Sequence, residues 1–395
     1  MTSDLLALRG ARVFDGESLR DDCALLLEGG RIADLVPSRQ IPAAARMREL
    51  ERGLLAPGFV DLQVNGGGGA LFGAAPGRES LGRLARAHRR FGTTALLPTL
   101  ISPDPDELRS AADAVARERA SPGADAARCL GLHVEGPFLD PARRGCHPAS
   151  RLRAPRGADL DALCALDCGA VIVTLAPERV PAGAIARLSG AGIHVCAGHT
   201  SASAEQLRRA RAEGLRGYTH LFNGMPPLGS REPGPVGAAL LDSEAYCGLI
   251  ADGIHVHPDT LRIALAARPP ERMLLVTDSM ASVGAPELRS FSLYGDPIEI
   301  AGDRCSAPDG SLAGSTLDMS RALRFAVEQL GLPLPRALRM SSAIPAEFLG
   351  LGRELGAFAP GRAADLVWLG DDLRVRATWV AGREAPGEAA GSGAA

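Results

Sequence analysis

The sequence predicts an α/β protein: a TIM-like (β/α)8 barrel with a small β-sandwich domain built from both chain ends. Three observations predict it. Eight short apolar runs recur between residues 54 and 278, with helical patterns between them. These runs are almost continuously hydrophobic, as strands buried on both faces of a parallel sheet must be. Outside that array, residues 5–56 and 364–384 alternate apolar with polar and reverse at glycines, the pattern of antiparallel strands. A length of 395 residues suits one barrel of roughly 250 residues plus an accessory module. A doubly wound open sheet is the alternative for the same βα rhythm.

In chain order, ALRGARVFDGES and ALLLEGGRIADLV read as short strands and turns of the small domain. Barrel strands are expected over LLAPGFVDLQV (54–64), TALLPTL (94–100), CLGLHVE (129–135) and AVIVTLA (170–176). Four more are expected over GIHVCAG (192–198), LRGYTHL (215–221), YCGLIAD (246–252) and MLLVTD (273–278). Helix starts are legible between them. Asp104 offers an N-cap before Pro105 at N1 and Glu107 at N3, and Ser203 with Gln206 makes a capping box. After the barrel, ADLVWLG (364–370) and RATWVAGRE (376–384) regain the character of the first segment. The expected domains are therefore 1–56 with 357–384 as the small β domain, 57–356 as the barrel, and 385–395 as a disordered tail with little to bury.

Composition excludes several classes. A net charge of −3 gives no reason to expect nucleic acid or an anionic membrane surface as partner. No run approaches the roughly 18 apolar residues of a membrane span. The start, MTSDLLALRGARVFDG, shows no export signal, so a cytoplasmic location is expected. Eight scattered cysteines without a CxxC pair read as reduced thiols, Cys164 and Cys168 included. The chain has no lysine, which excludes a Schiff base or a carbamylated-lysine metal bridge and leaves arginine as the fixed cation.

The chemistry lies at the ends of the runs. Glu135 (LGLHVEGPF), His199 (IHVCAGHTSAS), His220 (GYTHLFNGMPP) and Asp278 (MLLVTDSM) would close strands three, five, six and eight. Catalytic groups of such barrels sit at the C-terminal strand ends. One carboxylate and two imidazoles can hold a divalent cation and leave a position open, while a further carboxylate can carry protons. Singly, each residue reads as well as a core histidine or a helix cap; in register, the four point to metal-assisted hydrolysis. His133 reads as a hydrogen-bonded barrel-lining residue.

The segments APGFVDLQVNGGGG, LHVEGPFL, AGHTSAS, THLFNGMPP, REPGPVG, LIADGIHV, VTDSM, LAGST and ELGAFAPGRAADLVWL resemble, in order, those of the N-acetylglucosamine-6-phosphate deacetylase family of the amidohydrolase superfamily. The resemblance runs from about residue 1 to about residue 384. It implies metal binding by Glu135, His199 and His220, and an acid/base role for Asp278, with His147 polarising the acetamide carbonyl. It further implies sugar contacts from Cys146, His147, Asn223, Gly224 and the loop Leu312, Ala313, Gly314 and Ser315. Arg231 and His255 would grip the phosphate of an amino-sugar phosphate. Many relatives carry alanine where Gly224 stands, and a backbone contact there should survive that change. A homodimer is implied, because in this family the arginine can come from the neighbouring subunit.

The first strand departs from the two-metal pattern of the superfamily. Gln63 and Asn65 stand where His-x-His is usual, leaving a vestigial second-metal position. Amides ligate divalent metals poorly beside imidazole. One divalent metal per subunit is therefore expected, zinc first and iron, manganese or cobalt as alternatives. The alternatives in function are deacetylation of the galacto epimer, or a catalytically dead barrel kept for protein interaction.

Overall fold

The computed structural model describes residues 4–73 and 75–387; the last part of the expected tail, 388–395, lies outside them. Eight parallel strands pair in chain order: β1 (Phe59–Val64), β2 (Thr93–Ile101), β3 (Gly131–Glu135), β4 (Ala170–Leu175), β5 (His194–Ala197), β6 (Gly217–Tyr218), β7 (Tyr246–Ile250) and β8 (Met273–Val276). The seam between β8 and β1 closes through the Asp278 N–H donating to the Gln63 carbonyl at 3.0 Å and a bridge between Val64 and Ser279. The sheet is thus a barrel and not an open sheet. Every residue of β1 and β2 is buried, because the inner face packs the barrel interior and the outer face packs helices.

Helices follow the strands. That over Pro105–Ala120 starts as its sequence predicts: Asp104 accepts the N–H groups of Asp106 and Glu107, both at 2.9 Å, and Glu107 accepts the Asp104 N–H at 2.9 Å. Ser203 and Gln206 form the expected box before Ala204–Ala212. Such caps satisfy backbone donors that the first helical turn leaves without partners.

Strands from both chain ends form two further sheets. Arg31–Pro37, Cys23–Glu28, Leu6–Arg9 and Arg46–Glu49 make one; Arg383–Pro386, Val375–Val380, Leu366–Leu369, Leu54–Pro57, Arg12–Phe14 and Leu19–Arg20 make the other. Leu8, Leu25 and Ile32 from the first share a core with Leu55, Leu366 and Trp379 from the second, giving a sandwich.

Two elements differ from the sequence reading. The apolar run 54–64 divides at Gly58: Leu54–Pro57 joins the sandwich and Phe59–Val64 enters the barrel. Both halves are buried, so hydrophobicity alone hides the break. After β8 the chain also builds a four-stranded antiparallel sheet, Ser290–Leu293, Asp296–Ala301, Arg304–Ser306 and Leu312–Ser315. Its apolar face (Leu293, Ile298, Cys305, Ala313) packs on Leu71, Met280 and Ile101, the last residue of β2, which places it over the C-terminal end of the barrel. These strands are short and largely exposed, so their pattern in sequence is weak. The eight cysteines are all free, and no helix among the described residues is long and apolar enough to cross a membrane.

Candidate active site

Glu135 is the last residue of β3, and His199, His220 and Asp278 each follow β5, β6 and β8 by two residues. The last three share a left-handed backbone, with φ of 48°, 29° and 51°. That conformation costs a non-glycine residue roughly 1 kcal/mol or more and persists where surrounding bonds hold it. At Asp278 those bonds are visible: its N–H goes to the Gln63 carbonyl at 3.0 Å and its carbonyl accepts the Ser315 N–H at 2.9 Å. Gly314 is required beside it, since a Cβ there would lie 2.8 Å from the Asp278 carbonyl oxygen, at φ +59°.

Glu135, His199 and His220 are buried and converge. His220 Nε2 lies 2.9 Å from Glu135 Oε1 and 3.1 Å from His199 Nε2, and His199 Nε2 lies 3.4 Å from Glu135 Oε1. Donors about 2.0–2.2 Å from one ion in tetrahedral array stand about 3.3 Å apart, so these three edges fit a single divalent cation. The protonation pattern fits as well. His199 Nδ1 donates to the Arg143 carbonyl at 2.7 Å, which leaves the Nε2 lone pair facing the cluster. Burial works to raise the Glu135 carboxyl, but the contacts with His199 and His220 win and hold it well below the usual carboxylate range. Burial likewise opposes a charged His220, and the Glu135 carboxylate overrides it and raises that imidazole. The pocket therefore favours positive charge at this point, and a cation would take the place of the His220 proton.

Asp278 faces the cluster across two amides. Its Oδ1 accepts Asn65 Nδ2 at 2.7 Å and Gln63 Nε2 at 3.1 Å, and the same Gln63 nitrogen reaches Glu135 Oε1 at 3.1 Å. The amide pair thus serves as hydrogen-bond donor to both carboxylates. Burial, helped by the Glu135 charge, pushes the Asp278 carboxyl up to about 6. A carboxyl near neutrality can both take and release a proton at physiological pH.

His147 completes the buried ring. Its Nδ1 is 2.7 Å from Ser102 Oγ, its Nε2 is 3.8 Å from Glu135 Oε2, and its ring meets that of His199 edge-on at 4.5 Å. Burial, with the neighbouring His199 imidazole, pushes it down to about 3, so the His147 ring is neutral at physiological pH. His133 lines the barrel below, bonded to the Leu62 carbonyl at 2.9 Å and Thr174 Oγ1 at 2.8 Å.

The remaining predicted residues surround this centre at different distances. Asn223 Nδ2 donates to the His220 carbonyl at 3.1 Å. Gly224 packs against His199: a Cβ would stand 2.7 Å from its Nδ1, at φ +61°, so alanine could not enter here without moving that ring. His255 is buried in an ion pair with Asp252 Oδ2 at 2.6 Å. Burial raises the Cys146 thiol, leaving it protonated. In the loop strand Leu312–Ser315, Ala313 is buried with Gly314 and Ser315, and Leu312 is half-buried. Arg231 is exposed, and no hydrogen bond or ion pair among the described residues ties it to the cluster. Sequence reasoning missed Asp61, Ser102 and Thr277, and the signal for Asp61 was a lone charge inside a largely apolar strand.

A parallel barrel with a buried carboxylate–imidazole cluster and a second carboxylate at its C-terminal mouth defines a metal-assisted hydrolase of the barrel class. The model of the Amidohydrolase family matches residues 54–385. An N-acetylgalactosamine-6-phosphate deacetylase of Shewanella sp. (strain ANA-3) is 41% identical over 385 residues, covering 96% of each chain. An N-acetylglucosamine-6-phosphate deacetylase of Haemophilus influenzae is 35% identical over 366 residues, 92% of this chain and 94% of that one. The crystal structure of N-acetylglucosamine-6-phosphate deacetylase from Pasteurella multocida superposes with a TM-score of 0.92 at 31% identity, over 97% of this chain and 100% of that one. The chain belongs to the amidohydrolase family of metal-dependent hydrolases and, within it, to the amino-sugar-phosphate deacetylases.

Proposed function

We propose that this enzyme hydrolyses the acetamide of N-acetyl-D-glucosamine 6-phosphate to D-glucosamine 6-phosphate and acetate. The observation that carries the reading is Asp278, half-buried, raised to about 6 and held across the Gln63–Asn65 amides from the Glu135–His199–His220 cluster. A divalent cation at that cluster supplies charge that polarises the acetamide carbonyl and acidifies water. Asp278 accepts the proton of the attacking water and passes it to the leaving nitrogen, which departs poorly until protonated. With Nδ1 accepting from Ser102 Oγ, 2.7 Å away, a neutral His147 carries its proton on Nε2, where it would hydrogen-bond the carbonyl oxygen as negative charge develops there.

Asn223, Gly224, Cys146 and the Leu312–Ser315 strand contact the sugar, while Arg231 and His255 bind the phosphate. Arg231, exposed and without a hydrogen bond or ion pair among the described residues, supports a homodimer in which it reaches the neighbouring site. One metal per subunit, zinc, is supported by the engagement of both first-strand amides as donors to carboxylates. The reading is that of a cytoplasmic enzyme of amino-sugar catabolism.

A second reading, the galacto epimer as substrate, is favoured by the name of the 41%-identical Shewanella relative. Side-by-side kcat/KM for the two epimeric phosphates and for unphosphorylated N-acetylglucosamine, with metal content on the same preparation, tests both. Higher kcat/KM for the gluco phosphate and one metal per chain support the proposal. Preference for the galacto phosphate overturns the substrate in favour of the second reading. Equal rates without the phosphate remove the role of Arg231 and His255, and two metals per active chain overturn the single-metal site.

The proton role also sets a pH profile. Asp278 must be ionised to take the proton, and burial with the Glu135 charge raises its carboxyl above the ordinary aspartate range, to about 6. The kcat/KM should therefore fall about tenfold per pH unit below that point and level off above it. A profile flat down to pH values near the ordinary aspartate range of about 4 would contradict the assignment.

A further inference from the structure

Asp61 is fully buried on β1 and takes part in no ion pair among the described residues. Burying a carboxylate without a cation is costly, so hydrogen bonds must compensate it. Three do, and they reach only two residues. Thr277 Oγ1 donates to Asp61 Oδ2 at 2.6 Å, while the N–H groups of Thr277 and Gln63 donate to Oδ1 at 3.3 and 3.2 Å. Thr277 is the residue before Asp278, and Gln63 is a side-chain donor to Asp278. These bonds lie at the β8–β1 seam, which no continuous strand ladder closes.

We propose that Asp61 is a positioning residue for Asp278, clamping the β8 end to the β1 end so that the Asp278 carboxylate stays aimed across the site. The inference rests on the reading of Asp278 as proton carrier. An asparagine there can keep its oxygen toward the two N–H groups only by facing its NH2 to Thr277 Oγ1, so the short bond from the Thr277 hydroxyl to the carboxyl oxygen is lost. Without the clamp, the left-handed turn at Asp278 keeps its backbone bonds to Gln63 and Ser315, the Ser315 hydroxyl on the Thr277 carbonyl and the Ser279 carbonyl bonds to Asn65 and Gly66, but the Thr277 side chain no longer ties the β8 end to the interior of β1. A displacement of about 1 Å at a reacting group costs on the order of 10²-fold in rate.

The test compares Asp61→Asn, Thr277→Val, Thr277→Ser, Asp278→Asn and the double variant Asp61→Asn/Asp278→Asn in the full-length, metal-loaded enzyme. Asp61→Asn and Thr277→Val should each lower kcat about 10- to 100-fold with KM and metal content held. Thr277→Ser, which keeps the hydroxyl, should recover most of the loss seen with valine. In the Asp278→Asn background, Asp61→Asn should lower the residual turnover no further, because the group it aims is gone. Wild-type kcat in both Asp61→Asn and Thr277→Val, loss of metal in step with kcat, or an equal fall in the Asp278→Asn background would each overturn the clamp. If Asp61→Asn does not fold, Thr277→Val and its serine counterpart carry the comparison. Asp278→Asn retaining turnover would instead overturn the proton-carrier reading itself.

Discussion

Asp278→Asn is expected to lower kcat by about 10³- to 10⁴-fold while the protein stays folded and keeps its metal. The isosteric amide can still accept Asn65 Nδ2 and Gln63 Nε2 through its oxygen, so the geometry of the mouth is preserved. It cannot take a proton from water or return one to the leaving nitrogen. The cluster of Glu135, His199 and His220 makes no direct bond to Asp278, so metal content should match the parent. Acetate release measured alongside elemental analysis separates the two outcomes. Near-normal turnover, or a parallel loss of metal, would sink the role assigned to Asp278.

The second large effect is expected at Glu135. Glu135→Gln removes the one anionic member of the cluster and, with it, the charge that raises the His220 imidazole against its burial. It also sets two amides face to face, since Gln63 Nε2 already donates to Glu135 Oε1 at 3.1 Å. Loss of an outer partner of a metal ligand costs about 10- to 100-fold in metal affinity, so loss of the cluster's only charge should cost more than about 100-fold. Competition with a chelator of known affinity gives that number directly. Turnover should vanish at stoichiometric metal and return in part with excess. A dissociation constant within a few-fold of the parent would show that the cation is held elsewhere.

Much of this was legible before any coordinates. The eight barrel runs stand out because parallel strands are covered on both faces and so lose their polar alternation. Glu135, His199, His220 and Asp278 stand out because a charged or titratable residue at the end of an apolar run is rare unless the strand end faces a site. The motifs around them extend to the family, and the family model and its relatives agree.

Other features needed the third dimension. The break at Gly58 is invisible because both halves of the run are equally apolar, and only pairing partners distinguish sandwich from barrel. The sheet between Ser290 and Ser315 rests on a few inward residues drawn from short strands, too few for a period to be read. The packing of Gly224 against the His199 ring is a tertiary contact that nothing in the local sequence announces. Gln63 and Asn65 read as a lost metal position by residue type alone; their bonds to Glu135 and Asp278 depend on strands more than 70 residues apart in chain order.

The sequence by itself determined the barrel and the family, and it named the residues proposed for the metal and proton chemistry, because each is written in local composition and in strand-end position. Only the tertiary structure decided how the two carboxylates are kept apart in protonation: one drawn down by two imidazoles, the other pushed up by burial. It also decided that Asp61 and Thr277 belong to the site at all. The physical reason is the same in both cases, since burial and hydrogen-bond partners are set by which distant strand ends meet at the seam of the barrel.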